Sequence, residues 1–136
     1  MVNRNLRKNI STAAKEVGLS TKTIRYYESI GLSSAPERGD NGYRYYSAAM
    51  LAELSFIKRA RAAGFNLDEC KELVNLQCNE QRTSAEVKAL TLDKIADLEA
   101  RIKVLQTMHQ TLVDMAASCK GDSSPSCAIL TQLGTE

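Results

Sequence analysis

The 136-residue chain has no tryptophan, two phenylalanines, two prolines and a single histidine. So few aromatics and so few helix breakers favour a mainly α-helical protein. No stretch approaches the roughly 18 consecutive apolar residues that would cross a bilayer. The N-terminal "MVNRNLRKN" is basic, but no uninterrupted apolar run follows it, which excludes an ordinary secretory signal. A cytoplasmic location without membrane attachment is the expectation, and thiols there stay mostly reduced. The single histidine leaves no Ser/His/Asp or Cys/His constellation, and neither a phosphate loop nor a carboxylate pair is present. The chain does not read as an enzyme.

What is present is unevenly distributed. The net charge is +2, yet residues 1–66 hold 11 Lys and Arg against 5 Asp and Glu, while residues 67–136 hold 7 against 11. A basic front half on an acidic back half suggests a polyanion-binding head joined to a body with another task. The length allows one ordinary domain, or a small domain followed by one long helix.

"ISTAAKEVGLSTKTIRYYESIGL" predicts two short helices. Ser11 can cap the first, 12–17, and Gly18 suits the left-handed position that ends it. Ser20 caps the second and Gly31 closes it, giving a helix-turn-helix. At about 100° per residue, Ile24, Tyr27 and Ile30 fall on a core side, and Lys22, Arg25, Tyr26 and Ser29 on the other. Such a face can donate to phosphates and to base edges in a major groove.

In "LSSAPERGDNGYRYYS" the turn residues Pro36, Gly39, Asp40, Asn41 and Gly42 precede a tyrosine-rich segment, 43–46. That predicts a two-stranded wing in which Arg44 could clamp phosphate, although tyrosines that merely pack on the helices would leave the same pattern. Ser47 caps a third helix, 48–63, with Met50, Leu51, Leu54 and Ile57 inward and Lys58, Arg59 and Arg61 near its C-terminus; Gly64 ends it. Asn66 caps a fourth, with Leu67, Cys70, Leu73, Val74 and Leu76 inward.

After the polar "CNEQRTS", Ser84 is the expected cap of a helix that no Gly or Pro interrupts from 85 to 117. Such a helix would run on the order of 50 Å. Its apolar stripe passes through Thr91, Ile95, Leu98, Ile102, Leu105, His109 and Leu112 in alternating steps of four and three, a heptad-like seam. A head of about 80 residues cannot bury that seam, so a partner helix is needed, and a second copy of the chain is the simplest source. His109 then reads as a packed or interface residue rather than a ligand.

Past that helix, "CKGDSSPSC" sets Cys119 and Cys127 with seven residues between them in a Gly, Asp, Ser and Pro loop, and "AILTQL" predicts one or two helical turns. A disulfide is geometrically possible but disfavoured in a reducing compartment. Zinc would need about four ligands, and only two thiols are local. Two thiolates on one loop suit a soft monovalent ion such as Cu(I). Unrelated thiols complete the alternatives.

Four segments together resemble the MerR family of transcription activators, and within it the copper-responsive efflux regulators. They are "TIRYYESIGL" at 23–32, "NGYRYY" at 41–46, "RARAAGFNLDECKELVNL" at 59–76 and "CKGDSSPSC" at 119–127. The likeness runs from Ile10 to about Leu133. It leaves residues 1–9 as a basic extension before the family's usual start, and implies a winged helix-turn-helix DNA-binding head with its following helix pair at 10–77, a dimerisation helix at 84–117, and a metal-binding loop with a short helix at 118–136. It further implies a homodimer joined through antiparallel long helices, bound to a palindromic spacer in double-stranded promoter DNA. Metal binding would distort that DNA so that RNA polymerase can engage the promoter and copper-efflux genes are activated.

Carried over by position, Lys22, Arg25 and Tyr26 would contact DNA, with Tyr43, Arg44 and Arg61 gripping phosphates. Cys119 and Cys127 would be the ligands of Cu(I), and Ag(I) or Au(I) share that chemistry. Ser84 stands where relatives that sense divalent ions carry a further cysteine, and a hydroxyl is a poor ligand for soft metals. Lys88, one turn later, could offset charge near the thiolates. Cys78 has no place in the family pattern. A redox-responsive or other-metal-responsive regulator of the same family is the alternative.

Overall fold

In the computed structural model, which describes residues 8–39 and 43–134, helices account for most of the chain and a two-stranded ribbon interrupts them. The order is α1 (Ile10–Val17), α2 (Thr21–Ser29), β1 (Glu37–Arg38), β2 (Arg44–Tyr45), α3 (Ala48–Ala62), α4 (Leu67–Cys78), α5 (Ser84–Ser118) and α6 (Ala128–Leu133). Residues 1–7 of the expected 1–9 extension and the turn residues Asp40, Asn41 and Gly42 lie outside the described residues.

Local chemistry explains most boundaries. Ser20, Ser47 and Asn66 accept from the backbone N–H three residues on, each satisfying an otherwise unpaired helix donor. Asn66 goes further, because Glu69 reaches back to the Asn66 N–H at 2.8 Å and completes a capping box. Gly18 takes φ 74°, where its N–H closes α1 on the Ala14 carbonyl.

Two caps differ from the expectation. Asn9, not Ser11, caps α1, its side chain accepting from the Thr12 N–H at 2.9 Å. Lys8 and Asn9 therefore belong to the head rather than to an extension, and the Lys8 carbonyl accepts from the Tyr46 N–H at 2.7 Å. Thr83, not Ser84, caps α5: its hydroxyl accepts from the Glu86 N–H at 3.2 Å, and Glu86 accepts from the Thr83 N–H at 3.3 Å.

Contacts divide the chain into two compact units, 1–88 and 89–136, so the first turn of α5 goes with the head. The head core is built from α1, α2, α3 and α4 around Ile24, Leu54, Ile57, Cys70 and Tyr46, each 2% exposed or less. Ile30 departs from its expected core position and is 38% exposed. The helix has already ended at Ser29, so the turn no longer carries residue 30 inward, and Leu32, 3% exposed, packs instead. In the ribbon, Glu37 faces Tyr45 and Arg38 faces Arg44 in an antiparallel register. The second unit contrasts with this: among the described residues of α5, Lys94 alone is buried, and its ammonium donates to Asp97 at 3.1 Å.

Candidate nucleic-acid interface and metal centre

The recognition face begins with what α2 does not bury. Ile24 and Tyr27 turn into the core, which leaves Lys22, Arg25 and Tyr26 exposed on the other side. Ser29, expected among the donors, instead gives its hydroxyl to the Tyr26 carbonyl at 2.7 Å. Along the wing the tyrosines divide. Tyr43 is 69% exposed and Tyr46 is 1% exposed. Arg44 is exposed between them and, with Arg25 and Tyr43, lines a cleft between α2 and the ribbon. Arg61 is exposed in the last turn of α3, where one guanidinium N–H donates to the Phe65 carbonyl at 3.1 Å. The cationic and hydroxyl donors are of the kinds that hold phosphate oxygens and base edges.

A residue not singled out from the sequence sits behind this face. Glu28, in the last turn of α2, accepts the Tyr46 hydroxyl at 2.5 Å and lies 3.8 Å from the Arg44 guanidinium. Burial, and then the Glu28 hydrogen bond, push the Tyr46 phenol up, so it stays a protonated donor. A lone acid among Arg and Tyr on a basic face was the available signal.

In the second unit, α5 ends at Ser118 and the loop reverses at Gly121, whose φ of 65° is a left-handed conformation. Side chains then step along the backbone: Asp122 accepts from the Ser124 N–H at 2.9 Å and Ser124 from the Ser126 N–H at 3.2 Å. This chain of local turns brings Cys119 Sγ and Cys127 Sγ to 3.7 Å, both thiols free and half-buried. Backbone N–H of Leu130, then the Cys119 thiol, lower the Cys127 pKa, with a smaller contribution from the Ile129 N–H. Among the described residues no group of three or more His, Cys, Asp or Glu is placed to hold a metal ion. The loop thus offers two sulfur donors.

Ser84 opens α5 and Lys88 follows one turn later, both exposed and both in the first unit. Cys78 is exposed at the end of α4. His109 is exposed on α5 within the single chain rather than packed.

Residues 8–77 match the profile described as MerR HTH family regulatory protein, and residues 51–115 match that described as MerR, DNA binding. The chain belongs to the MerR family of transcriptional regulators. It is 50% identical to the HTH-type transcriptional regulator CueR of Salmonella typhi over 92% of this chain and 91% of that protein. It is 41% identical to the HTH-type transcriptional regulator HmrR of Rhizobium leguminosarum bv. viciae over 92% of this chain and 96% of that one. Among solved structures, the lead(II) complex of the regulator PbrR691 from Ralstonia metallidurans CH34 superposes with a TM-score of 0.82 at 34% identity. That match covers 93% of this chain and 98% of the other. A MerR-type head followed by a long helix is therefore the architecture of this chain, and no helix among the described residues is long and apolar enough to cross a membrane.

Proposed function

We propose that this MerR-family regulator is a cytoplasmic Cu(I) sensor that acts as a homodimer and activates copper-efflux genes. Each head would place Lys22, Arg25 and Tyr26 in a major groove and Tyr43, Arg44 and Arg61 on phosphates of a palindromic promoter spacer. The long helices would pair antiparallel, covering the stripe of Ile95, Ile102, Leu105 and Leu112 that the single chain leaves 45% or more exposed. Burying the exposed half of each such side chain contributes about 1 kcal/mol. In this reading metal binding leads the dimer to distort the DNA for RNA polymerase, at an energetic cost set by DNA stiffness.

The observation that carries the choice of effector is the pair of sulfurs 3.7 Å apart with no third donor group among the described residues. Two thiolates fit a soft monovalent ion, which accepts few ligands, better than a divalent one. Ag(I) and Au(I) fit the same donor set. Cys119 and Cys127 would hold the ion, which would supply a compact positive charge to offset the two thiolates. The chain's part is to lower the Cys127 pKa, chiefly through the Leu130 N–H, which favours the thiolate such an ion would need. Ser84 at the start of α5 adds no soft ligand, and Lys88 one turn on would offset local negative charge.

Cys119→Ser and Cys127→Ser are each expected to abolish copper induction of a reporter and Cu(I) uptake in competition with a chromophoric chelator. Promoter affinity should stay within about threefold, since the changed residues lie outside the phosphate and base contacts. Full induction by either variant would overturn the ligand assignment. The short sulfur separation also suits a reversible disulfide, the basis of the redox-responsive alternative. That reading requires the response to vanish when the thiols are kept reduced, whereas copper sensing requires reduced thiols.

A further inference from the structure

The wing and the recognition helix meet at one carboxylate. The Glu28 side chain is 10% exposed, and Tyr46, which donates to it at 2.5 Å, is 1% exposed. A nearly buried carboxylate is costly unless it is satisfied, and a hydroxyl donating to an anion is among the stronger hydrogen bonds. Tyr46 follows β2 directly, so this bond ties the strand carrying Arg44 to the helix carrying Arg25. From the other side the Tyr46 N–H is held by the Lys8 carbonyl at 2.7 Å. Glu28's second oxygen faces the Arg44 guanidinium at 3.8 Å, on a side chain that is 53% exposed.

Phosphate contacts fix the register in which a recognition helix reads bases. A head that grips DNA with two separate elements depends on the spacing between them. We infer that Glu28 and Tyr46 form a positioning pair that sets this spacing and so governs how well the head separates its own site from other DNA. Neither residue contacts DNA in this scheme. They act through Arg44 and Arg25, and the inference rests on the DNA contacts proposed for those two.

The test uses the full chain, a duplex selected from a random pool by the unaltered protein, and an unselected duplex of equal length. Affinities are measured over a salt series, with thermal melting recorded in parallel. Tyr46→Phe keeps the ring and removes the donor. It is expected to weaken binding to the selected duplex about tenfold, the size of one disturbed base contact, and to change the unselected duplex by less than about twofold. Glu28→Gln keeps an acceptor for the Tyr46 hydroxyl, so selectivity should hold within about twofold while both affinities rise as a negative charge near the phosphates is lost. Glu28→Ala, which removes the acceptor and leaves the buried ring, should repeat the selective loss even if Tyr46→Phe folds poorly. Equal losses on both duplexes, or no loss on either, by Tyr46→Phe or Glu28→Ala would overturn the proposal. Arg44→Ala separates the two layers of the argument: it should weaken both duplexes and lower the salt slope by about one. If it does neither, the contact assigned to Arg44 fails, and the positioning role of the pair falls with it, whatever Tyr46→Phe does.

Discussion

Leucine and isoleucine live in opposite surroundings in the two units. In the head, Ile24, Leu54 and Ile57 are 2% exposed or less, and in the second unit Ile102, Leu105 and Leu112 are 52% exposed or more. The apolar residue types are the same; their partners differ. Short amphipathic helices in the head present their stripes to one another, α3 against both α1 and α4, and close a core within a small domain. α5 spends 35 residues on a single helix with a regular apolar stripe. A lone helix draws little stability from propensity, and most of it comes from packing such a stripe. The head closes a core on itself, whereas the stripe of the long helix stays exposed in the single chain and is the surface that the proposed dimer would cover.

The sharpest way to break that contrast is to put charge into the stripe. Leu105→Glu places a carboxylate in the expected seam from both copies at once, and burying unpaired charge is strongly unfavourable. The expected result is at least a 100-fold loss of dimer affinity in sedimentation, with a matching loss on palindromic DNA and an unchanged head signal on urea unfolding. A dimer that survives would mean that the stripe is not the association surface. A smaller effect separates the units by core chemistry. Leu54→Ala, at a 2% exposed position, should cost about 3 kcal/mol in urea unfolding. Leu112→Ala, 61% exposed, should cost less than about 0.5 kcal/mol in the dissociated chain. Comparable losses would erase the distinction.

Legibility in the sequence followed the same division. Caps set by a local pattern were readable: Ser20, Ser47 and Asn66 each precede an apolar period. Asn9 was passed over because what anchors that segment is remote, the pairing of Lys8 with Tyr46. Thr83 was missed for a different reason. "TSAE" contains the Ser/Thr-x-x-Glu capping signature beginning at Thr83, but Ser84 is an adjacent hydroxyl of nearly equal propensity. The exposed donors of α2 followed from its helical period, whereas Glu28 did not, because its role depends on a residue 18 positions away. The closeness of the two thiols was suggested by the length and composition of the loop. The lowered pKa of Cys127 goes with its place just before the short helix that "AILTQL" predicts, whose first N–H groups stabilise a thiolate.

That asymmetry gives the smallest of the expected effects, and it tests whether the loop is locally ordered within a unit that otherwise lacks a core. Cys127 is lowered chiefly by the Leu130 N–H, then by the Cys119 thiol, with the Ile129 N–H adding to both and burial opposing them. A lowered thiol pKa means that thiolate appears at lower pH, so Cys127 alkylation by iodoacetamide, followed by peptide mass spectrometry, should reach half its maximal rate below the usual value of about 8.5. Cys119→Ala removes the second contribution and leaves the first. The midpoint should therefore move upward without returning fully to the unperturbed value. A wild-type midpoint at the ordinary value would mean that the Leu130 N–H does not hold the sulfur in solution. An unshifted midpoint in Cys119→Ala would mean instead that the two thiols do not sense one another, and the 3.7 Å approach of their sulfurs is what makes that outcome unexpected.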